Sequence, residues 1–70
     1  MLALHPAASA RFELRFAPLS GTGRAFSFPC DAQGRVDLNA LSDRARSNYL
    51  YARALTGRTF GWPVVQRQLH

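Results

Sequence analysis

The chain has 70 residues, of which 47% are hydrophobic and 11% aromatic, and this composition excludes an intrinsically disordered protein. A chain of this length forms one domain and buries only about 60% of its unfolded surface, which favours self-association. Cys30 is the only cysteine, so an internal disulfide is excluded. The net charge of +5 favours anionic partners, but all nine basic residues are arginine and alanine occurs eleven times, a bias that GC-rich coding also produces.

Residues 1–10 are predicted to form an irregular leader, because their apolar residues follow no period. The leader lacks the basic start of a signal peptide, and no stretch reaches the ~20 apolar residues that a membrane span needs. We therefore expect a cytoplasmic protein, in agreement with a cysteine that has no partner.

A first strand is predicted from Arg11 to Ala17, where apolar and charged residues alternate strictly until Pro18 ends the pattern. Its inward residues are Phe12, Leu14 and Phe16. The segment from Leu19 to Gly23 is interpreted as a hairpin turn. A phosphate-binding loop would need a Gly-Lys-Ser/Thr ending followed by a helix, and neither is present.

The second predicted strand runs from Arg24 to Cys30, with its inward residues at Phe26, Phe28 and Cys30. Pro29 cannot donate to a ladder, so we expect its backbone nitrogen at a strand end or on an outer edge. The residues from Asp31 to Gly34 form a tight turn in this interpretation, with a positive φ at the glycine. A short return from Arg35 to Asp37 then leads into a helix.

One amphipathic helix is predicted between Val36 and Gly57. Asp37 is an N-cap residue, and Gly57 is typical of a left-handed residue that closes a helix. The apolar residues recur at a spacing of three to four and so share one face. They are Leu38, Leu41, Ala45, Tyr49, Ala52 and Leu55.

The opposite face of this helix carries Leu50 and Ala54 beside Arg46 and Arg53. A single surface leucine needs no explanation, but the same residues would serve as a second contact with the chain or with a partner. The arginines of the helix, with Arg44, are likewise either a basic ridge or a solvated face in which Asp43 pairs locally.

The segment from Arg58 to Gln66 alternates again at Phe60, Trp62 and Val64, and this predicts a further strand or an extended arm. Residues 67–70 are predicted to be a loose tail. We expect one α+β domain over residues 11–66, with a small antiparallel sheet of two to four short strands, one long amphipathic helix and the order β-β-(β)-α-β. Its core should join Phe12, Phe16, Phe26 and Phe28 to Leu41, Ala45, Ala52 and Leu55.

Three stretches resemble a group of short uncharacterised bacterial proteins. They are Phe28-Pro29-Cys30-Asp31, then Gly34 with Val36-Asp37, and the run LSDRARSNYLYAR from Leu41 to Arg53. The resemblance covers about residues 12–60. It implies a small bacterial protein, and it carries no activity, cofactor or partner.

The sequence offers no constellation for catalysis or metal binding. Cys30 would need a nearby base, but the only histidines are His5 and His70, close to the two termini. One cysteine, two histidines and four scattered acids match no ligand spacing, so we expect no metal, no cofactor and no enzyme activity.

Two binding hypotheses follow. The first is a non-catalytic protein-interaction module or homodimeric accessory protein, with its surface at Arg46, Leu50, Arg53, Ala54 and Trp62. The alternative is a small nucleic-acid-binding protein that contacts phosphates through Arg11, Arg15, Arg44, Arg46 and Arg53. An RNA-binding sheet needs exposed aromatic residues for stacking, and the strand phenylalanines are assigned to the core, which favours the first hypothesis. The sequence leaves the partner, the process and the oligomeric state open.

Overall fold

A computed structural model describes residues 11–68, which form a three-stranded antiparallel sheet with one α-helix packed on it. The elements in chain order are β1 (Phe12–Phe16), β2 (Phe26–Cys30), a 3₁₀ turn (Leu38–Ala40), α1 (Asp43–Ala54) and β3 (Val64–Arg67). The sheet order is β2-β1-β3, so the first strand is central. The α+β prediction is confirmed. The predicted leader, residues 1–10, and the last two residues of the predicted tail, 69–70, lie outside the described residues.

Strands β1 and β2 form the hairpin that their alternation predicts. Leu14 lies opposite Phe28 and Arg15 opposite Ser27, so apolar and polar residues separate onto the two faces of the sheet. We call the face that carries Leu14 the inner face and the face that carries Arg15 the outer face. The helix covers the inner face, where Leu14 and Phe28 are both buried.

The predicted single helix is wrong at its start. Asp37 caps only the 3₁₀ turn, where its carboxylate accepts a hydrogen bond from the amide of Asn39 at 3.0 Å. Leu41 then takes an extended conformation (φ −96°, ψ 147°) and is buried. The helix begins one residue after Ser42, whose hydroxyl accepts from the amide of Ala45 at 3.1 Å. Asp37 and Ser42 are comparable caps, and a helix that ran through Leu41 would lose the cap at Ser42 and the burial of Leu41 in its extended conformation.

The end of the helix is also earlier than predicted. It ends at Ala54, with Leu55 as the C-cap residue. Gly57 does have the positive φ that was expected of it, at 89°, but it lies beyond the cap in a tight connection. The Leu55 carbonyl accepts there from the amides of Arg58, Thr59 and Phe60. This connection turns the chain back towards the sheet.

After that connection, the chain runs antiparallel to β1 and folds back onto the same sheet. Pro18 bridges to Phe60, whereas Arg15 pairs with Val64. The two residues 16–17 on one side therefore face the three residues 61–63 on the other, which is the arrangement of a β-bulge. The extra residue reverses the alternation, so Phe60 is buried while Val64 lies on the outer face with Arg15. A strand therefore forms in the predicted segment, but the bulge prevents Phe60 and Val64 from sharing one face of the sheet.

The core lies between the inner face of β1 and β2 and the helix. Its buried residues are Leu14, Phe16, Phe28, Leu41, Tyr49, Ala52 and Phe60, and Phe26, Cys30, Val36, Leu38, Ala45 and Leu55 pack against them. Aromatic rings meet mostly edge to face, as Phe28 and Tyr49 do at a centroid distance of 5.3 Å. Phe12 does not join the predicted core. It is half-buried at the end of the sheet, with the Arg67 guanidinium 6.0 Å from the centre of its ring.

The turn after β2 closes one side of the inner face. Asp31 accepts hydrogen bonds through its side chain from the amides of Gln33 and Arg35, and Gly34 has a φ of 84°. A Cβ atom at Gly34 would lie 3.0 Å from Cγ2 of Val65 and 3.5 Å from Cδ1 of Leu14, so glycine is required here for close packing as well as for φ. The predicted return strand after this turn is absent from the described range, where residues 35–37 are irregular.

Candidate interaction surface

The outer edge of β3 presents backbone groups that point away from the sheet. The amide of Gln68 donates to the carbonyl of Arg11 at 2.9 Å, which extends the register in which Gln66 faces Glu13. In an antiparallel ladder, alternate residues bond to the neighbouring strand. The N–H and C=O groups of Val65 and Arg67 consequently point to the free edge, and none has a backbone partner among residues 11–68.

The side chains around this edge are unusually apolar for an exposed strand. All four residues of β3 are exposed, including Val64 at 60% and Val65 at 36%. Trp62, in the bulge directly before the strand, is 80% exposed. Natural sheet edges are commonly protected by proline, charge or a covering element. β3 has the charge of Arg67 and the bulge with Pro63 before it, but between them Val64 and Val65 leave apolar surface beside the exposed indole of Trp62.

A groove of about 720 Å³ runs along the inner side of β3, between this strand and the helix. Its apolar lining includes Leu14, Phe16, Tyr49, Trp62, Pro63 and Val65. Its charged lining consists of Arg35 and Arg53. Arg35 is held by Asp31 at 2.7 Å, whereas the Arg53 guanidinium lies 5.9 Å from the centre of the Tyr49 ring.

The structure brings together two of the predicted interaction residues, Arg53 and Trp62, which both line the groove. Leu50 and Ala54 are exposed on the side of the helix roughly opposite the buried Ala52. Arg46 is half-buried and serves the fold, because its Nε donates to the carbonyl of Leu38 at 3.3 Å and its Nη1 to Asp43.

The residues of the β3 edge were missed as functional candidates. Val65 lay in the predicted strand or arm from Arg58 to Gln66, whose pairing the alternation alone does not define. Arg67 was assigned to the loose tail, and this prediction is wrong, because Arg67 ends β3 and pairs with Phe12. The signal that could have found them is the short run Val64–Arg67 after Pro63, which has β-forming residues and no breaker.

The five arginines proposed to contact phosphates do not share one surface. Arg15 lies on the outer face, whereas Arg11 precedes β1 and lines a different cavity, at the other end of the sheet from the groove. Arg44 and Arg53 are nine residues apart on the helix, which is two and a half turns and places them on opposite sides. Their positions do not assemble into a basic ridge.

A second open cavity, of about 1000 Å³, lies at the other end of the sheet, where Phe12, Cys30 and Leu41 contribute apolar surface and Arg11 and Asp37 contribute charge. Burial raises the pKa of the Cys30 thiol, and the negative charges of Asp31 and Glu13 raise it further. A thiol in this setting stays protonated at neutral pH and is a poor nucleophile. Within residues 11–68, no three histidine, cysteine or acidic side chains are grouped as a metal site would require.

In the part of the chain that the structure describes, no helix has both the length and the apolar character to cross a membrane. Comparison of the chain with models of protein families, with curated proteins and with solved structures found no match in any of the three.

Proposed function

We propose that the protein is a small, non-catalytic interaction module that binds a protein partner, or a second copy of itself, along the β3 edge. The observation that carries this proposal is the free edge at Val65 and Arg67. The backbone N–H and C=O groups of these two residues point away from the sheet and have no backbone partner among the described residues, and the exposed Trp62 and an apolar groove lie beside them. An extended segment that adds to such an edge gains main-chain hydrogen bonds from the strand and side-chain contacts from the groove.

We infer a cytoplasmic location from the single cysteine, and a relationship to the short bacterial proteins that the stretches from Phe28 to Arg53 resemble. Leu50 stays a candidate for a second contact, on the other side of the helix. Nucleic-acid binding through the arginines is the weaker alternative, because Arg15, Arg44 and Arg53 point in different directions.

The variant Val65→Pro tests the proposal. The amide of Val65 points outward, so proline removes an edge donor and blocks strand addition without removing a hydrogen bond to β1. Val65→Thr is the matched control, since it keeps the amide and the β-branched shape. Circular dichroism should show both variants folded.

The readout is solution mass by light scattering across a concentration series, at low and high salt, followed by affinity capture from an extract of the native cells. We expect either a dimer or a discrete captured protein with wild type and Val65→Thr, and neither with Val65→Pro. Equal behaviour of all three proteins would contradict the proposal. A heavier complex that forms only with added nucleic acid at low salt would favour the alternative.

A further inference from the structure

The inner side of β3 alternates between an apolar and a basic position. Val65 pairs with Leu14, and Arg67 pairs with Phe12, so both side chains lie on the inner face, two residues apart. A strand added to the free edge would place its own inward residues beside these two positions, also at a spacing of two residues. The residue of the added strand between these two would place its side chain on the outer face, next to Gln66, where many side chains can be accommodated.

The charged side chains that line the groove are both arginines, Arg35 and Arg53, and Arg67 lies at the end of the same strand. Arg67 lies over the Phe12 ring and Arg53 over the Tyr49 ring, and neither has a carboxylate within 4.0 Å among residues 11–68. The acid nearest to β3 in the ladder is Glu13. It is on the outer face and accepts hydrogen bonds from Gln66 at 2.9 Å and Gln68 at 3.4 Å. Asp31 is paired with Arg35, and Asp37, which lines the cavity beside Phe12, accepts a hydrogen bond from the amide of Asn39.

A second copy of the chain fits this side less well than an acidic partner does. Two chains of net charge +5 repel each other, and antiparallel β3–β3 pairing would place Pro63, Val65 or Arg67, and no acid, opposite Arg67, depending on the register. The complementary occupant carries an acidic side chain where this strand has arginine and an apolar side chain where it has valine.

From these contacts, and resting on the proposed function, we infer that the β3 edge binds an extended acidic segment of a partner protein with the pattern acid-x-apolar. The partner strand runs antiparallel to β3, as both existing pairs of the sheet do. Its acidic residue pairs with Arg67, and its apolar residue, two positions later, packs beside Val65 at the groove. Backbone hydrogen bonds to Val65 and Arg67 supply the common affinity, and the acid supplies the selectivity.

The test uses the full chain and three capped seven-residue peptides rich in threonine. The first has glutamate at position 3 and valine at position 5, the second has lysine in place of the glutamate, and the third has the glutamate and valine exchanged. Binding is measured from ¹⁵N chemical shifts of the backbone amides up to millimolar peptide, at low and high salt. We expect shifts at Val65 and Arg67, and affinity for the first peptide about tenfold above that for the lysine peptide, with the difference reduced at high salt.

The charge-swap variant Arg67→Glu provides the sharpest readout, because it should reverse the preference between the glutamate and lysine peptides while the fold is unchanged by circular dichroism. Val65→Pro should abolish binding of all three peptides. Absence of amide shifts at millimolar peptide, or equal affinity for glutamate and lysine peptides, overturns the inference. If Val65→Pro nevertheless removes a dimer or a captured partner, the proposed function survives and only its acidic partner is wrong. A dimer that Val65→Pro removes and Arg67→Glu leaves unchanged would show a second copy as the occupant of the edge.

Discussion

The two edges of the sheet differ in what they expose. On β2, the backbone groups of Phe26, Phe28 and Cys30 bond to the central strand, so the backbone groups of Ser27 and Pro29 point to the free edge. Of these two residues, only Ser27 has an N–H group that could donate to another strand. Pro29 therefore occupies the outer-edge position that its missing donor predicts. On β3, the residues whose backbone groups point to the free edge are Val65 and Arg67, and both have an N–H group. One edge is closed to further strands, and the other is open.

The side-chain packing follows the same division. The β2 side lies under the helix, where Phe26 meets Tyr51 and Phe60 at centroid distances of 6.4 and 5.7 Å. The β3 side has no such cover in the described structure, and its inner face opens into the groove. In a domain this small, stability and binding have few residues to share. Their separation onto opposite edges means that substitutions on β3 can change binding while the core stays intact.

The largest loss of unfolding free energy is expected from Phe28→Ala, on the β2 side of the sheet. Phe28 is 4% exposed and contacts the rings of Phe16 and Tyr49. Its loss should cost about 3–5 kcal/mol of unfolding free energy, which is as much as a domain of this size commonly has. Val65→Ala, on the open edge, should cost at most about 1 kcal/mol, because this residue is already 36% exposed.

Urea denaturation followed by circular dichroism measures both costs. If Phe28→Ala is unfolded without denaturant, Phe28→Leu gives a smaller loss that can be measured. Similar costs for Phe28 and Val65 would show that the β3 side is as much a part of the core as the β2 side, and the contrast between the edges would fail.

The sequence predicts most of this architecture and less of its surface. Strict alternation places Leu14, Phe16 and Phe28 in the core, because period-2 patterns depend only on neighbours along one strand. The start of the helix is harder, since Asp37 and Ser42 are both good caps, and the burial of Leu41, a tertiary contact, decides between them. The β3 edge is hardest. Which groups of Val65 point outward depends on pairing with a strand about fifty residues away, and the bulge at residues 61–63 reverses the alternation.

A smaller loss of stability is expected from alanine at Gly34, in the turn that packs against β3, and it can be compared with alanine at Gly57, where the added Cβ atom packs against nothing. Gly34→Ala must hold a positive φ and also place a Cβ atom 3.0 Å from Val65. Gly57→Ala is the matched control, because its φ is also positive and no atom lies within 4 Å of the added Cβ. The control should lose about 1–2 kcal/mol from backbone strain alone.

Gly34→Ala should lose more than this control, and the difference measures how tightly the turn packs on β3. Thermal denaturation of the two variants gives the comparison, and the amide shift of Val65 should change only in Gly34→Ala. Equal losses would mean that the turn moves freely away from the strand and does not define the wall of the groove.

The smallest expected effect concerns the pH dependence of the same turn. The backbone amide of Arg35 donates to the Asp31 carboxylate, and this bond, followed by the Arg35 side chain and the amide of Gln33, lowers the pKa of Asp31 below its usual value. A carboxylate with a lowered folded pKa adds stability above the unfolded pKa of about 4, and that contribution is lost as the pH falls through the folded pKa. Wild type and Asp31→Asn should therefore differ at pH 6 and converge as the pH falls through the lowered pKa of the folded state.

The convergence is measured by urea denaturation at a series of pH values, with Asp43→Asn as the control. Asp43 pairs with Arg46 at 3.3 Å through a fully exposed carboxylate in the first turn of the helix, so its replacement should have only a small effect, distinct from that of Asp31→Asn. The amide of Val65 reports on the same titration, because Gly34 of this turn packs against its side chain. If the Val65 amide shifts with the midpoint of the Asp31 titration, the closed and open edges are connected through the turn. If it does not, the turn stabilises β2 alone and the groove beside β3 keeps its shape at acid pH.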